Sequence, residues 1–438
     1  MGSSMGIQQS MRLGESRDIY YYTSKTLSKQ SIPTICDNRF YQELTSLGAG
    51  SSTFIISVDQ GISDIILSAK LPEQGGAVDY TNLALPRGWV YHLINRLSVR
   101  YGSSSQYFWN GSQVLIENLR EMPNPTTRDQ LYELGGALMT TVAQFASDNL
   151  YAYAYLNLPH SSPNGSMSKP NPFPSELIGQ PIVITLELNP LPSIFSSSVA
   201  LGSLAGAPKA LQSAYFQVKQ IHAKDAGELM SMPGGRGSAY SLPLKAFYQN
   251  QVDIQVGIPA STAVPASVGP TKYELLLTGF RNGEVRSIFF WVTRASDVNP
   301  ATGAPFVKNY DNYILPKDVE LLYNGTVYYR AKNGSSQMWS LVSTETPPLL
   351  QCTVLSLNSA TPAVIVNTSK VANWTEIPFA QVFEQLSGAH MYVAGKLIQN
   401  AVVNLSITLP DNDRYIVSLT YAYNSTLMFS EKNCEYVF

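Results

Sequence analysis

PIVITLELNP (Pro181–Pro190) reads as a β-strand, because its residues alternate with period two between proline stops that suit a strand's ends. VVNLSITLP (Val402–Pro410) repeats the pattern late in the chain, alternating and again closed by proline. Each is followed by a further strand, AYFQVKQIHA (Ala214–Ala223) in one case and YIVSLTYAYN (Tyr415–Asn424) in the other. A strand, a turn and an aromatic strand come before each, as LINRLSVRYGSSSQYFW (Leu93–Trp109) and DVELLYNGTVYYR (Asp318–Arg330). A short helical segment also stands upstream of each proline-closed strand, SELIG (Ser175–Gly179) and QVFEQL (Gln381–Leu386). The same elements in the same order, twice over, imply two β-domains of one plan in tandem.

The intervening sequence carries the same grammar. STFIISVDQGISDIILSAKLP (Ser52–Pro72) holds two β-branched runs broken at Asp59-Gln60-Gly61, a hairpin or a bend. Leu93–Tyr101 and Gln106–Trp109 are strand-like, Asn110-Gly111 opens a helix from Gln113, and TTRDQLYEL (Thr126–Leu134) is a second helix stopped at Gly135-Gly136. YAYAYLNLP (Tyr151–Pro159) sets Tyr and Ala on opposite faces of a half-buried strand. In the second half, AFYQNQVDIQVGIP (Ala246–Pro259), KYELLLTGF (Lys272–Phe280) and SIFFWVTRA (Ser287–Ala295) are strands, the last two joined by a hairpin-type turn at Arg281–Glu284. VELLYNGTVYYRA (Val319–Ala331) is a hairpin across Asn324-Gly325, PFAQVFEQL (Pro378–Leu386) a short helix, and Asp411–Asp413 a turn. Strands so numerous fit an all-β fold of two tandem eight-stranded jelly-roll barrels with short helices in the loops. The Pro/Gly-rich stretch around Pro233–Gly237 puts the boundary near residue 236, giving an arm over 1–45, a first barrel over 46–235 and a second over 236–438. The arm is polar, aperiodic and dotted with single aromatics that have no local core to join. In the final strand, Tyr415, Val417, Leu419, Tyr421 and Tyr423 are expected inside, with Ser418 and Thr420 toward solvent or a neighbour.

Composition narrows the function. Charged residues make up 14% of the 438, against about 25% in average soluble chains, which suggests a surface largely covered by other subunits. A net charge of −2 supplies no field for phosphate backbones, so sequence-specific nucleic-acid binding is not expected. Cys36, Cys352 and Cys434 are far apart and lack metal or disulfide spacing, which fits structural thiols in a reducing compartment. No secretory h-region and no membrane-length apolar run is seen. His92, His160, His222 and His390 have no ligand spacing, and GxSxG, GxxxxGK[ST], HExxH and GxGxxG are absent, so no catalytic, cofactor or metal site is assigned. Glu117, Glu121 and Glu187 are read as solvated acids rather than a glycosidase pair. The eight Asn-x-Ser/Thr sequons at Asn110, Asn164, Asn324, Asn333, Asn367, Asn373, Asn404 and Asn424 are mainly turn chemistry, and Tyr20–Tyr22 is assigned to arm packing rather than base stacking.

Four tracts together resemble the double jelly-roll major capsid proteins of icosahedral double-stranded DNA viruses, of the virophage and large algal virus type. They are the polar N-terminal arm, ALPRGWVYHLINRLSVRYGS (Ala84–Ser103), PFPSELIGQPIVITLELNP (Pro172–Pro190) and ITLPDNDRYIVSLTYAYNSTLMF (Ile407–Phe429). The resemblance covers roughly residues 45 to 438 and implies a structural protein without enzymatic activity. Such a protein is made and assembled inside the host cell and resides in the capsid shell of the virion. The resemblance further implies homotrimers forming pseudo-hexagonal capsomers, with neighbouring capsomers, minor capsid and vertex (penton) proteins and an internal membrane as partners. The loops are short for the family, so a comparatively flat capsomer is expected. The alternatives are a carbohydrate-binding or hydrolytic β-sandwich protein, which requires a cleft lined by exposed Trp and paired carboxylates, and a minor capsid or vertex protein, for which one jelly roll would suffice.

Overall fold

The computed structural model describes residues 35–56, 61–86, 88–104, 106–121, 131, 134–136, 142, 146, 150–156, 158, 180–197, 206–223, 240–255, 268–276, 285–295, 318–323, 325–331, 351–358, 364–371, 375–378, 382–384, 390–392, 401–409, 414–430 and 433–437. The first half contributes β1 (Ile35–Glu43), β2 (Gly50–Ile56), β3 (Gly61–Lys70), β4 (Leu83–Ala84), helix α1 (Trp89–Leu93), β5 (Ile94–Tyr101), β6 (Tyr107–Trp109), helix α2 (Gly111–Glu121), β7 (Tyr151–Tyr155), β8 (Ile182–Leu188), β9 (Ser196–Ser197) and β10 (Ser213–Ala223). The second contributes β11 (Tyr240–Gln255), β12 (Val268–Leu276), β13 (Val285–Arg294), β14 (Asp318–Tyr323), β15 (Thr326–Ala331), β16 (Gln351–Asn358), β17 (Val364–Val371), β18 (Thr375–Pro378), β19 (Val382–Glu384), β20 (His390–Tyr392), β21 (Ala401–Leu409), β22 (Tyr415–Ser430) and β23 (Asn433–Val437).

The first half forms two four-stranded sheets, ordered β1-β10-β3-β7 and β2-β8-β5-β6. The second half repeats both orders as β11-β22-β13-β18, extended by β23 on β22, and β12-β21-β14-β15. With the two-residue β9 and the β23 extension set aside, in each half the first strand pairs antiparallel with the last and the second with the penultimate, the pairing of a jelly roll. The fold is therefore all-β with two jelly rolls in tandem, as the sequence implied. The matched segments of the internal repeat occupy equivalent positions: β5-β6 with β14-β15, β8 with β21, and β10 with β22.

Strands such as β2, β7 and β8 bury alternate residues, as the sheets of a sandwich require. In β8, Ile182, Ile184, Leu186 and Leu188 are buried, while Val183, Thr185 and Glu187 are half-exposed. In β7 the alanines are buried and the tyrosines half-exposed, which fixes the faces that alternation alone left open. Phe54 on β2 and Phe216 on β10 belong to opposite sheets and meet with ring centroids 5.7 Å apart, so the two inner faces interdigitate directly. The second roll is filled by Val319, Leu321, Val403, Leu405, Val417 and Leu419, all at most 1% exposed.

Four expectations change. Ile35–Glu43, read as part of the arm, is β1 and pairs along its whole length with β10; its polar sequence hid a strand whose stability comes from a partner about 180 residues away. Residues 1–34 lie outside the described residues. The strands before and after Asp59-Gln60-Gly61 lie in different sheets, which leaves the bend and excludes the hairpin there, and those flanking Arg281–Glu284 do too, so that stretch is no hairpin: turn-forming residues do not choose a strand's partner. PFAQVFEQL is not a helix, since β18 pairs with β13 and β19 with β20; strand pairing overrides weak helical propensity. Leu93, expected to begin a strand, instead ends the one-turn helix Trp89–Leu93. Trp89, Val90, Tyr91 and Leu93 are all buried, so it has no polar face to betray a helical period. SELIG lies outside the described residues, as does most of TTRDQLYEL, although Gly135 N donates to Leu131 O at 3.0 Å where that helix was expected to stop.

Sheet β11-β22-β13-β18 is buried on both sides at β22. Val417 and Leu419 are fully buried on the inner face, and Ser418 at 3% and Thr420 at 1% exposure are buried too, so of the solvent or neighbour expected on that side they do not meet solvent. Thr420 Oγ1 has no hydrogen-bond partner among the described residues. Leu419→Asp and Thr420→Asp should therefore both cost several kcal/mol, each burying an unpaired carboxylate. Thr420→Val should hold or raise the melting temperature by removing an unsatisfied hydroxyl. Circular dichroism melts of the three variants check this, and a Thr420→Asp protein as stable as the unaltered one would refute the two-sided burial.

Candidate assembly surfaces

One corner of the first roll is organised by Tyr91 on α1. Its hydroxyl oxygen accepts from Asn118 Nδ2 on α2 at 3.1 Å and from the Tyr155 backbone N–H on β7 at 3.2 Å, while Asn118 Nδ2 also donates to Tyr155 O at 2.8 Å. Three elements distant in sequence are thus held at one buried oxygen. Asn110 caps α2 reciprocally: its Oδ1 accepts from Gln113 N at 2.9 Å, and its backbone N–H donates to Gln113 Oε1 at 3.0 Å. Gly111 follows because a side chain there would strike the Tyr91 carbonyl. The Asn110 sequon position is therefore a helix cap, and the helix starts two residues before the expected Gln113.

Burial raises the Tyr91 hydroxyl to about 12, against the opposing hydrogen bonds from Asn118 and Tyr155. The folded state thus holds the neutral phenol while an unfolded tyrosine ionises near its ordinary 10. The stabilisation is complete below about pH 10 and is lost as pH rises toward 12. Tyr91→Phe removes the acceptor that the Tyr155 N–H and Asn118 Nδ2 share, leaving Asn118 only its bond to Tyr155 O, and should cost about 1–3 kcal/mol in urea unfolding. The same variant should lose part of the stability decline above pH 10.

The outward faces of the two equivalent sheets are open. On β2-β8-β5-β6 the register lines up Ile55, Val183 and Arg100 in one row, Thr53, Thr185, Ser98 and Phe108 in the next, and Ser51, Glu187 and Arg96 in a third. Ile55 is 63% and Phe108 42% exposed. The Arg96 guanidinium stacks over the Phe108 ring at 3.6 Å, and Thr53 and Thr185 hydroxyls bond across the strands at 3.3 Å. On β12-β21-β14-β15, Leu276, Val402, Leu322 and Val327 make an apolar row beside Glu274, Asn404, Glu320 and Arg330. Leu276 is 56% and Val327 47% exposed. Glu320 accepts from Asn404 Nδ2 at 3.4 Å and pairs with Arg330 Nε at 3.5 Å, so the Asn404 sequon position lies within a side-chain network.

A third outward face, on β1-β10-β3-β7, is rich in tyrosine. Tyr151 stacks edge-on to Tyr215 at 5.5 Å, lies 6.5 Å from Tyr153, shares a 3.1 Å hydrogen bond with Ser213 Oγ and has Lys70 Nζ 6.0 Å from its ring centre. Ser68, flanked in register by Tyr153 and Tyr215, is fully buried.

The residues weighed for catalysis do not assemble into a centre among those described. Among the described residues no group of three His, Cys, Asp or Glu side chains converges as a metal site, and no helix is long and apolar enough to cross a membrane. His92 lies in α1, His222 at the end of β10 and His390 in β20; Cys36, Cys352 and Cys434 lie on β1, β16 and β23. Glu187 stands on the outward face of β8, flanked in register by Ser51 and Arg96, while the side chains of Glu117 and Glu121 lie outside the described residues. Trp89 and Trp109 are buried, unlike tryptophans that line a sugar cleft. His160, Asn164, Tyr20–Tyr22 and Asp411–Asp413 also fall outside the described residues.

No family model matches the chain, and no curated protein matches it either. Solved structures do. PBCV-1 VP54, fitted into a reconstruction of the virophage Sputnik, is 11% identical with a TM-score of 0.62, covering 92% of this chain and 97% of its own. The quasi-atomic PBCV-1 virus capsid is 11% identical with a TM-score of 0.58 over 92% and 97%. The mavirus major capsid protein is 10% identical with a TM-score of 0.51 over 92% and 90%. At such identity the likeness is one of fold, and across nearly its whole length this chain has the double jelly-roll fold of these viral capsid proteins.

Proposed function

We propose that the chain is the major capsid protein of an icosahedral double-stranded DNA virus, acting structurally and catalysing no reaction. The observation that carries this is the duplicated sheet order, two complete jelly rolls in one chain with the same strand pairings. A single-barrel vertex or minor protein has no need of the second copy, and a sugar-binding sandwich has no need of two. The low charge content fits a molecule whose sides are covered in an assembly.

Three chains, each supplying two rolls, form a pseudo-hexagonal capsomer, which packs against neighbouring capsomers and penton and minor proteins in the virion shell, over an internal membrane where the virus has one. The rolls meet near residue 236, and residues 1–34 serve as the arm toward the shell interior. Among the described residues, no strand ending by Ala223 pairs with a strand starting at Tyr240 or later, which supports that boundary.

Light scattering of the purified chain should give a homotrimer, and negative-stain micrographs should show roughly hexagonal particles. A strictly monomeric chain at micromolar concentration would overturn the reading. Removing residues 1–34 should leave trimers intact and impair closed shells, because β1 starts only at Ile35. Loss of folding on that truncation would place the arm within the first roll.

A further inference from the structure

Strand β3 carries two covered polar groups on its outward face. Ser68 is 0% and Lys70 8% exposed, although both stand on the side of the sheet opposite the buried Ile65, Leu67 and Ala69. Two positions apart on one strand, they project from the same face about 7 Å apart. What covers them is tyrosine. Lys70 lies in register between Ser213 on β10 and Tyr151 on β7, and the hydroxyls of those two neighbours meet at 3.1 Å, so the Tyr151 phenol reaches across β3 above the lysine. Lys70 Nζ is 6.0 Å from the centre of that ring. Tyr215, edge-on to Tyr151 at 5.5 Å, and Tyr153, 6.5 Å from Tyr151, flank Ser68 in register. All three tyrosines are half-exposed, so this roof has solvent on its outer side.

Beneath the roof the polar groups are unmatched. Among the described residues Ser68 Oγ has no hydrogen-bond partner and no carboxylate pairs with Lys70. Glu43, on the same outward face, stands on β1 beyond the intervening β10. Buried charges are ordinarily paired and buried hydroxyls bonded, because each otherwise loses its hydration without replacement. Lysine brings three donors and no acceptor, and serine and tyrosine hydroxyls can each turn a proton toward the same space. We propose that this crypt is a binding site for a carboxylate, held by the Lys70 ammonium with the Ser68 and Tyr151 hydroxyls as further donors. One compact cation balances one monovalent carboxylate, whereas a phosphate would leave uncompensated negative charge in a covered site. Entry requires Tyr151 to swing aside, and its tie to Ser213 is a single hydrogen bond between neutral groups, among the weaker kinds.

The test is thermal denaturation of the full chain in acetate, with chloride holding the ionic strength constant, for the unaltered protein and Lys70→Met side by side. Any general salt effect of the anion is common to both proteins, so the difference between them reads the site. Acetate should raise the melting temperature of the unaltered chain saturably, as a ligand of the folded state does, and Lys70→Met should lack that rise. In chloride alone Lys70→Met should melt no lower than the unaltered chain, since it removes a covered, unpaired charge; a lysine that only props the tyrosines would show the reverse. Lys70→Gln gives the same comparison if methionine packs badly, and Ser68→Ala should weaken the acetate response. Crystals grown in acetate should show the anion on Lys70 Nζ. An acetate response that persists in the folded Lys70 variants, a larger difference with phosphate than with acetate, or acetate found only at exposed positions as an adventitious additive only, overturns the assignment. None of these readouts depends on oligomeric state, so failure here leaves the capsid reading standing.

Discussion

Each roll is closed by a long ladder that joins its first strand to a strand near its end, β1 to β10 and β11 to β22, and everything else in the fold hangs on that closure. In the second roll β11 and β22 pair from Tyr240↔Phe429 to Gln255↔Tyr415; in the first, β1 and β10 pair from Ile35↔Ala223 to Glu43↔Tyr215. Until these partners meet, β3 and β13 lack the neighbour that aligns their inner faces, since both pair with the closing strand. The entropy of closing so long a loop grows only with the logarithm of its length, so the separation costs little more stability than a shorter loop would. It does cost time, because long-range pairings must form before they repay the loop.

Closure also explains where function can reside. With the inner faces committed to packing, the outward faces are left for recognition among the described strands, and the chain has treated them differently. The outward side of β22 is covered within the chain, as the burial of Ser418 and Thr420 shows. The outward faces of β2-β8-β5-β6 and β12-β21-β14-β15 expose apolar rows edged with charge, and that of β1-β10-β3-β7 carries stacked tyrosines. Such half-polar faces, apolar in rows and edged with charge, have the composition of surfaces that bury against a partner.

The corner at Tyr91 shows how two short helices are fixed to the edge of a sheet. A single phenol oxygen receives donors from α2 and β7 while α1 contributes only one helical turn. So short a helix is unstable alone, and its position follows from burial of Trp89, Val90, Tyr91 and Leu93.

The sequence by itself determined the strands with one wet and one dry side, such as β8 and β21, the Asn324-Gly325 hairpin whose Gly325 takes φ 77°, and the twofold repetition of the plan. Those signals are local: side-chain alternation, turn chemistry and proline stops act within a few residues. It could not show that Ile35–Glu43 is a strand, that the strands flanking Asp59–Gly61 and Arg281–Glu284 belong to different sheets, or that Val382–Glu384 is extended. Nor could it show that Thr420 is buried, or that Ile55 and Phe108 share an open face equivalent to that of Leu276 and Val327. Those facts were decided by tertiary structure, because a strand's partner and the layer covering its second face are supplied by residues tens to hundreds of positions away, and alternation says only that two faces differ, never what each will meet.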